Sequence, residues 1–196
     1  AIFGWMDELQ AEGLVKNWGA SVETIEEGLL CLEQPGLATL QIIFNLFRQD
    51  AAKALLPKAA EKDVGIIVRL PLASGLLSGK YDKDTVFDAT DHRNYNADGK
   101  AFSVGETFAG IEFARGVELV NELRGLAPSG MKMSQFALRW ILDHPQVSTI
   151  IAGVSKPEQI ADNVAASEQR SLFPALMGQL GTWYDEQVKP EIRGGV

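Results

Sequence analysis

Residues 147–163, VSTIIAGVSKPEQIADN, decide how the rest of the chain is read. Ser148 and Thr149 lead into a short strand whose buried centre is expected at Ile150 and Ile151. Gly153 then supplies a turn, and a helix follows whose first backbone N–H groups have no partner within the helix. Ser155-Lys156-Pro157-Glu158 has the S-x-x-E form of a capping box, with the proline just inside the helix start. The positive end of that helix, the ammonium of Lys156 and the close approach allowed by Gly153 would together seat a phosphate. A capped structural helix accounts for the same residues. The choice between the two depends on what surrounds them.

Working outward, residues 133–143, MSQFALRWILD, read as a helix with Phe136, Leu138, Trp140 and Ile141 inward, ended by His144-Pro145. A further helix is expected over 116–127. Upstream, VGIIVRLPL at 64–72 reads as a strand and 50–62 as a helix. ATLQIIFNLF at 38–47 is almost continuously apolar, broken only by Gln41 and Asn45, and predicts a strand buried on both faces. Residues 23–33 predict a helix with an Ile25, Leu29, Leu30 and Leu32 stripe, stopped by Pro35-Gly36. Residues 15–22 predict a strand, and 2–14 a helix carrying Phe3, Met6 and Leu9 on one side and ending at Gly13. Strands alternating with helices over short connections imply an α/β fold with parallel strands and right-handed crossovers. The polar, aperiodic stretch 82–105 interrupts that rhythm and is expected to be a functional loop or lid. The tail, 171–196, predicts one helix over about 174–188 and then fraying. No repeat or linker divides the chain, so 1–196 reads as a single domain.

Composition narrows the partners. With 18 Lys and Arg against 26 Asp and Glu, the net charge of −8 argues against nucleic acid and acidic membranes. The single cysteine, Cys31, lies in the apolar run GLLCL, can form no internal disulfide and fits a reducing compartment. The apolar runs VGIIV and TIIAGV are strand-sized rather than membrane-spanning. Asp7 and Glu8 stand where a signal peptide would need basic and then apolar residues, so the expected location is the cytoplasm.

Several motifs fail on inspection. Gly75-Leu76-Leu77-Ser78-Gly79-Lys80 has three residues between its glycines where a P-loop has four, and Tyr81 follows the lysine instead of Ser or Thr. No G-x-G-x-x-G follows a predicted strand. His92 and His144 are far apart and lack ligand spacing to Cys31, so no metal site is expected. The G-x-S-x-G of a serine hydrolase is missing. What remains is a set of residues where parallel strands hand over to loops: Ser21, Gln41, Arg69, then 72–80 and 153–163. That end of an α/β barrel binds ligands. Amides, hydroxyls and cations with few carboxylates suit an anionic, hydrogen-bonding ligand such as a nucleotide. Each has a plainer reading: Gln41 satisfying a backbone group, Arg69 paired to a carboxylate, Lys80 solvated.

PLASGLLSGKY at 71–81, QFALRWILDHPQVSTIIAG at 135–153 and SKPEQIADN at 155–163 together resemble the C-terminal half of an aldo-keto reductase. EGLVKNWGASVETIEE at 12–27 and LQIIFNLFR at 40–48 resemble its middle strands. Within that family the chain is similar to the bacterial branch that also resembles potassium-channel β subunits. The resemblance implies the C-terminal part of a (β/α)8 barrel, about four parallel strands with surrounding helices, binding extended NADP(H) without a Rossmann fold. It implies that Ser21 and Gln41 hold the nicotinamide carboxamide, and that Arg69 stands where many members stack a Tyr or Trp on the ring. Pro71, Leu72 and Ser74 would form the pyrophosphate loop and Lys80 a phosphate contact. Gly153, Ser155, Gln159 and Asn163 would line the adenosine end, with Lys156 placed for a 2′-phosphate. Val22 replaces an Asn of many members.

The family's catalytic Asp, Tyr, Lys and His come from its first four strands and have no counterpart here, so no catalytic residue is expected. Four strands, where a closed barrel needs eight, leave open edges and an open inner face. The expectation is a piece of a longer enzyme, ahead of a half-barrel completed by another chain or by a second copy. The function implied is the cofactor half of an NADP(H)-dependent reductase of small carbonyl substrates, nearly inactive alone. The alternatives are a non-catalytic NADP(H) sensor module, or a phosphate-binding α/β domain with unrelated chemistry. Residues 82–105 and the tail would select the substrate.

Overall fold

The computed structural model describes residues 2–195. Helix α1, Ile2–Ala11, leads to strand β1, Trp18–Ser21, and rests on it through the Phe3 and Trp18 rings, 5.7 Å apart. Helix α2, Ile25–Cys31, starts at a reciprocal capping box that the sequence reading overlooked. Thr24 Oγ1 accepts from Glu27 N, and the Glu27 carboxylate accepts from Thr24 N. The Glu27 carboxylate also accepts from Glu23 N at 2.9 Å, and the bonds from Glu23 N and Thr24 N hold its carboxyl below the ordinary pKa. Strand β2, Leu37–Ile43, precedes α3, Leu55–Glu61, which packs so closely on α2 that a Cβ at Gly28 would lie 2.8 Å from the Leu55 methyls. Strand β3, Gly65–Arg69, is followed by a single-turn helix α4, His92–Tyr95, within the 82–105 stretch. Then come α5, Phe113–Leu126, α6, Met133–Leu142, strand β4, Val147–Ile150, α7, Glu158–Glu168, and α8, Pro174–Trp183.

The four strands found among the described residues form one parallel sheet in the order β1-β2-β3-β4. The expected α/β alternation with parallel strands is therefore present. On one face Leu40, Ile42, Ile66 and Val68 are almost fully buried beneath the helices. Each such aliphatic side chain contributes about 1.5–3 kcal/mol on burial. The opposite face, carrying Thr39, Gln41, Gly65 and Ile67, is only half-buried. This corrects the expectation that β2 is covered on both sides: the period-two alternation in exposure is that of a sheet packed on one face.

Three further expectations change. Ile151 is 53% exposed and Ile150 only half-buried, because β4 is the outer strand of this sheet and has no neighbour beyond it. Leu30, assigned to the core stripe of α2, is 70% exposed, while Leu32 and Gly28 are buried. The helix ends before Leu32, which turns the buried side toward Gly28. Nor does the tail fray after 188. Tyr184 and Val188 are fully buried, and Arg193 N donates to Gly110 O at 3.1 Å. The anchor is Asp50, at the end of the β2–α3 connection. It accepts from Tyr184 Oη and Lys189 Nζ, each at 2.9 Å, and pairs with Lys53 at 3.3 Å.

Candidate functional site

Parallel register decides which side chains can meet a common ligand. Ser21 pairs with Gln41, Gln41 with Ile67, and Ile67 with Thr149, which makes one row across the half-buried face. Two residues further along, Ile43 pairs with Arg69. Residues two apart on a strand point to the same side. Ser21, Gln41 and Arg69 therefore share the open face near the C-terminal strand ends. Among the described residues, neither the Ser21 hydroxyl nor the Gln41 amide has a side-chain hydrogen-bond partner.

Arg69 is tied down. Its guanidinium forms an ion pair with Glu106 and donates from Nη2 to Val22 O at 3.2 Å, with the side chain 14% exposed. Its Nε is buried with no partner among the described residues. The carboxylate reading of Arg69 is thus correct as to its partner, and Glu106 is a residue that sequence reasoning missed. It sits in a single 3-10 turn, Val104–Glu106, at the end of the aperiodic stretch. The only signal that could have found it is the need of a part-buried arginine for a counter-charge.

The chain after β3 is bent into conformations that side chains rarely adopt. Leu70, Ala73 and Ser74 have φ of 50, 46 and 55°, and Gly75 follows at 95°. Left-handed non-glycine residues each cost about 1–3 kcal/mol and persist where their surroundings over-determine them, often at ligand sites. Here the surroundings are specific. The fully buried Asn45 donates from Nδ2 to Leu70 O at 2.9 Å and accepts from Phe47 N at 2.8 Å. Ser74 Oγ donates to Glu106 O at 3.1 Å and accepts from Phe108 N at 3.3 Å. The Ser74 hydroxyl is therefore occupied, and a pyrophosphate at this loop would meet its main chain. Pro71 is buried and Leu72 half-buried. Lys80 is exposed, its ammonium 4.9 Å from the Tyr81 ring centroid. Arg93, a candidate lid residue, lies over Phe87 at 4.7 Å and binds Asp91 through Nε at 2.9 Å. Arg93's hydrogen bond is the main reason that the Asp91 carboxyl is lowered to about 2.

At the start of α7 the expected capping box is replaced by another device. Ser155 N and Lys156 N both donate to Gln159 Oε1, at 2.7 and 3.2 Å, and no side chain caps at Pro157. The helix begins at Glu158, so Pro157 precedes it, and the residue that reaches back is Gln159, not Glu158. Gly153, Ser155 and Lys156 are exposed, and Gln159 and Asn163 half-buried. A Cβ at Gly153 would meet nothing within 4 Å. These residues lie just beyond β4, at the far side of the sheet from Ser21. The arrangement thus runs from β1 across β3 to α7, with the Ser21 hydroxyl and Gln41 amide uncommitted on the open face. These are donors of the kind an extended dinucleotide would use. No group of three or more His, Cys, Asp or Glu that could hold a metal occurs among the described residues. No helix among them is long and apolar enough to cross a membrane.

Known proteins match this chain in sequence and fold. A model of the Aldo/keto reductase family matches residues 1–179. "Aldo-keto reductase YhdN" of Bacillus subtilis is 29% identical over 157 residues, covering 79% of this chain and 45% of that protein. A "Probable voltage-gated potassium channel subunit beta" of Arabidopsis thaliana is 27% identical over 183 residues, or 90% of this chain and 50% of the relative. The solved structure of the glycerol dehydrogenase AKR11B4 from Gluconobacter oxydans superposes with a TM-score of 0.73 at 26% identity, covering 97% of this chain and 55% of that one. The chain spans about half the length of the curated relatives it matches. A parallel sheet of this order, flanked by helices, is α/β and corresponds to about half of a longer (β/α)8 barrel, and the chain belongs to the aldo/keto reductase family.

Proposed function

We propose that this chain is the cofactor-holding half of an NADP(H)-dependent oxidoreductase that interconverts a small carbonyl compound and its alcohol. The observation that carries this reading is the shared open face of Ser21, Gln41 and Arg69, continuous with the strained loop after β3. Gln41 and Ser21 bind the nicotinamide carboxamide, the amide donating to its oxygen and the hydroxyl meeting its nitrogen. Arg69, held by Glu106 and Val22 O, would stand beside the nicotinamide. Main-chain groups of Pro71, Leu72 and Ser74 receive the pyrophosphate, with Lys80 as a flexible counter-charge. Gly153, Ser155, Gln159 and Asn163 hold the adenosine end, and the exposed Lys156 neutralises the 2′-phosphate that distinguishes NADP(H) from NAD(H). The cofactor, when bound, supplies the hydride. The proton for the carbonyl oxygen comes from outside these residues, in the part of the barrel that this chain does not span, and the chain alone turns over little or no substrate. We place the protein in the cytoplasm.

The test is a fluorescence titration with NADPH, using the chain alone and mixed with the first half of a relative's barrel. Saturable binding supports the reading, and no binding in either preparation rejects it. A second reading, a non-catalytic NADP(H) sensor, is favoured by the likeness to a channel β subunit. The two separate on turnover: reduction of a generic aldehyde by the reconstituted barrel supports the reductase, and tight binding without turnover supports the sensor.

A further inference from the structure

We infer that Glu106 is a positioning residue that sets the charge seen by the nicotinamide ring, and so the balance between oxidised and reduced cofactor in the site. The inference rests on the NADP(H) reading above. The oxidised ring carries a positive charge and the reduced ring carries none. A bare guanidinium beside the ring would repel only the oxidised form. In this chain the group at that position is Arg69, at the last residue of β3 and on the same face as Gln41.

The structure holds a carboxylate against that guanidinium by means independent of the ion pair. Glu106 closes a 3-10 turn, and its carbonyl oxygen accepts from Ser74 Oγ at 3.1 Å. Two residues on, Phe108 N donates to the same hydroxyl at 3.3 Å, with Phe108 fully buried in the core. The Glu106 main chain is therefore pinned to the loop that follows β3, and the carboxylate meets Arg69 from a fixed base. Arg69 is held in turn by Val22 O. The pair presents the ring with a planar guanidinium whose charge is already balanced. A flat, neutralised partner at this position keeps the geometry of a stacking group without penalising the oxidised cofactor. At a separation of a few ångströms and the effective dielectric of a part-buried site, one unbalanced charge changes an affinity by about ten-fold or more.

Measuring the two dissociation constants separately tests this. NADPH is titrated by fluorescence and NADP+ by displacement of NADPH, in whichever preparation binds. Glu106→Gln leaves Arg69 unbalanced and should raise the NADP+ to NADPH ratio of dissociation constants about ten-fold. Arg69→Gln leaves Glu106 unbalanced and should lower the ratio by a similar factor. The double variant should return it to within about two-fold of the parent. A purely structural role would weaken both nucleotides together and leave the ratio unmoved. Ratios unmoved, or moved in the same direction by both single variants, overturn the inference while leaving the cofactor reading intact. Failure of the parent to bind either nucleotide overturns both. Circular dichroism of each variant shows whether it folds; if Glu106→Gln does not, Arg69→Gln alone still tests the sign, since it should lower the ratio about ten-fold and a ratio unmoved or raised overturns the inference.

Discussion

Replacing Tyr184 by Phe removes one oxygen from the interior and nothing else. The ring is fully buried, so the change leaves the packing intact and deletes the hydrogen bond from Oη to Asp50 Oδ2 at 2.9 Å. A hydrogen bond to a charged group contributes about 1.5–3 kcal/mol. For a chain of this size each kcal/mol moves Tm by about 2–4 °C, so the variant should melt roughly 3–12 °C lower near neutral pH. Urea unfolding should show a lower midpoint with an unchanged slope, since the exposed area on unfolding is the same. The pH dependence supplies a second check. Burial is the largest single influence on Asp50 and pushes its carboxyl up. Bonds from Lys189, Tyr184 and Lys53 outweigh it and hold the pKa below the ordinary value. A depressed carboxyl stabilises the fold above its unfolded pKa of about 4 and loses that contribution as pH falls through its folded value. The gap between parent and variant should therefore hold from neutral pH down to about pH 4 and narrow as pH falls below it. A variant that melts within 1 °C of the parent, or a gap that stays constant with pH, would refute the view that Asp50 anchors the tail as a charged acceptor.

Other expected outcomes concern the site and its supports. Lys156→Glu should weaken NADPH about ten-fold or more and NADH by much less, because only NADPH carries the 2′-phosphate; equal losses in titration would contradict that assignment. Asn45→Ala strands Leu70 O and Phe47 N, and should lower stability by about 2–4 kcal/mol in urea unfolding and weaken NADPH as well, since the loop it braces includes Ser74. His144 lies against Phe44 and Trp140, 4.9 and 4.6 Å between ring centroids, and burial lowers its pKa from 6.5. The folded state thus prefers the neutral ring. Its contribution is present above pH 6.5 and fades as pH falls through the lower folded value. A His144→Phe variant should show a flatter stability profile between about pH 7 and pH 5.

Much of the fold could be read from local pattern. The period-two alternation of β3 and the helical stripe of α6, with Phe136, Trp140 and Ile141 all buried, follow from side-chain geometry alone. What escaped reading depends on which neighbour is present. ATLQIIFNLF looks buried on both sides because Ile43, Phe44, Leu46 and Phe47 are apolar. Yet the last three belong to the turn after β2, and Asn45 among them is a brace rather than an interruption. Ile150 and Ile151 look like core because a parallel strand normally has neighbours on both sides, and β4 has one. At the site, Ser21, Gln41 and Arg69 were placed by spacing relative to strand ends. Glu106 was not, because ion pairs between a strand end and a distant turn leave no periodic trace. The cap on α7 shows the same limit: Gln159 and Glu158 are neighbours in a plausible pattern, and only the reach of the side chain decides between them.

The position of β4 has a consequence for the order in which the molecule is assembled. Strands β1, β2 and β3 succeed one another through short connections, whereas β4 joins only after the long excursion from Arg69 to Val147. Closing so large a loop comes late when a chain folds, because its entropy must be met before the new contacts form. Part of the docking, moreover, is made by a side chain: Ser148 Oγ accepts from Ile66 N at 3.1 Å where the register slips. The segment proposed to grip the 2′-phosphate is thus the last to arrive and the first to come away. Amide exchange at β4 and α7 should run ahead of that at β2 and β3, and a nucleotide bridging both ends would act as the clasp that slows it.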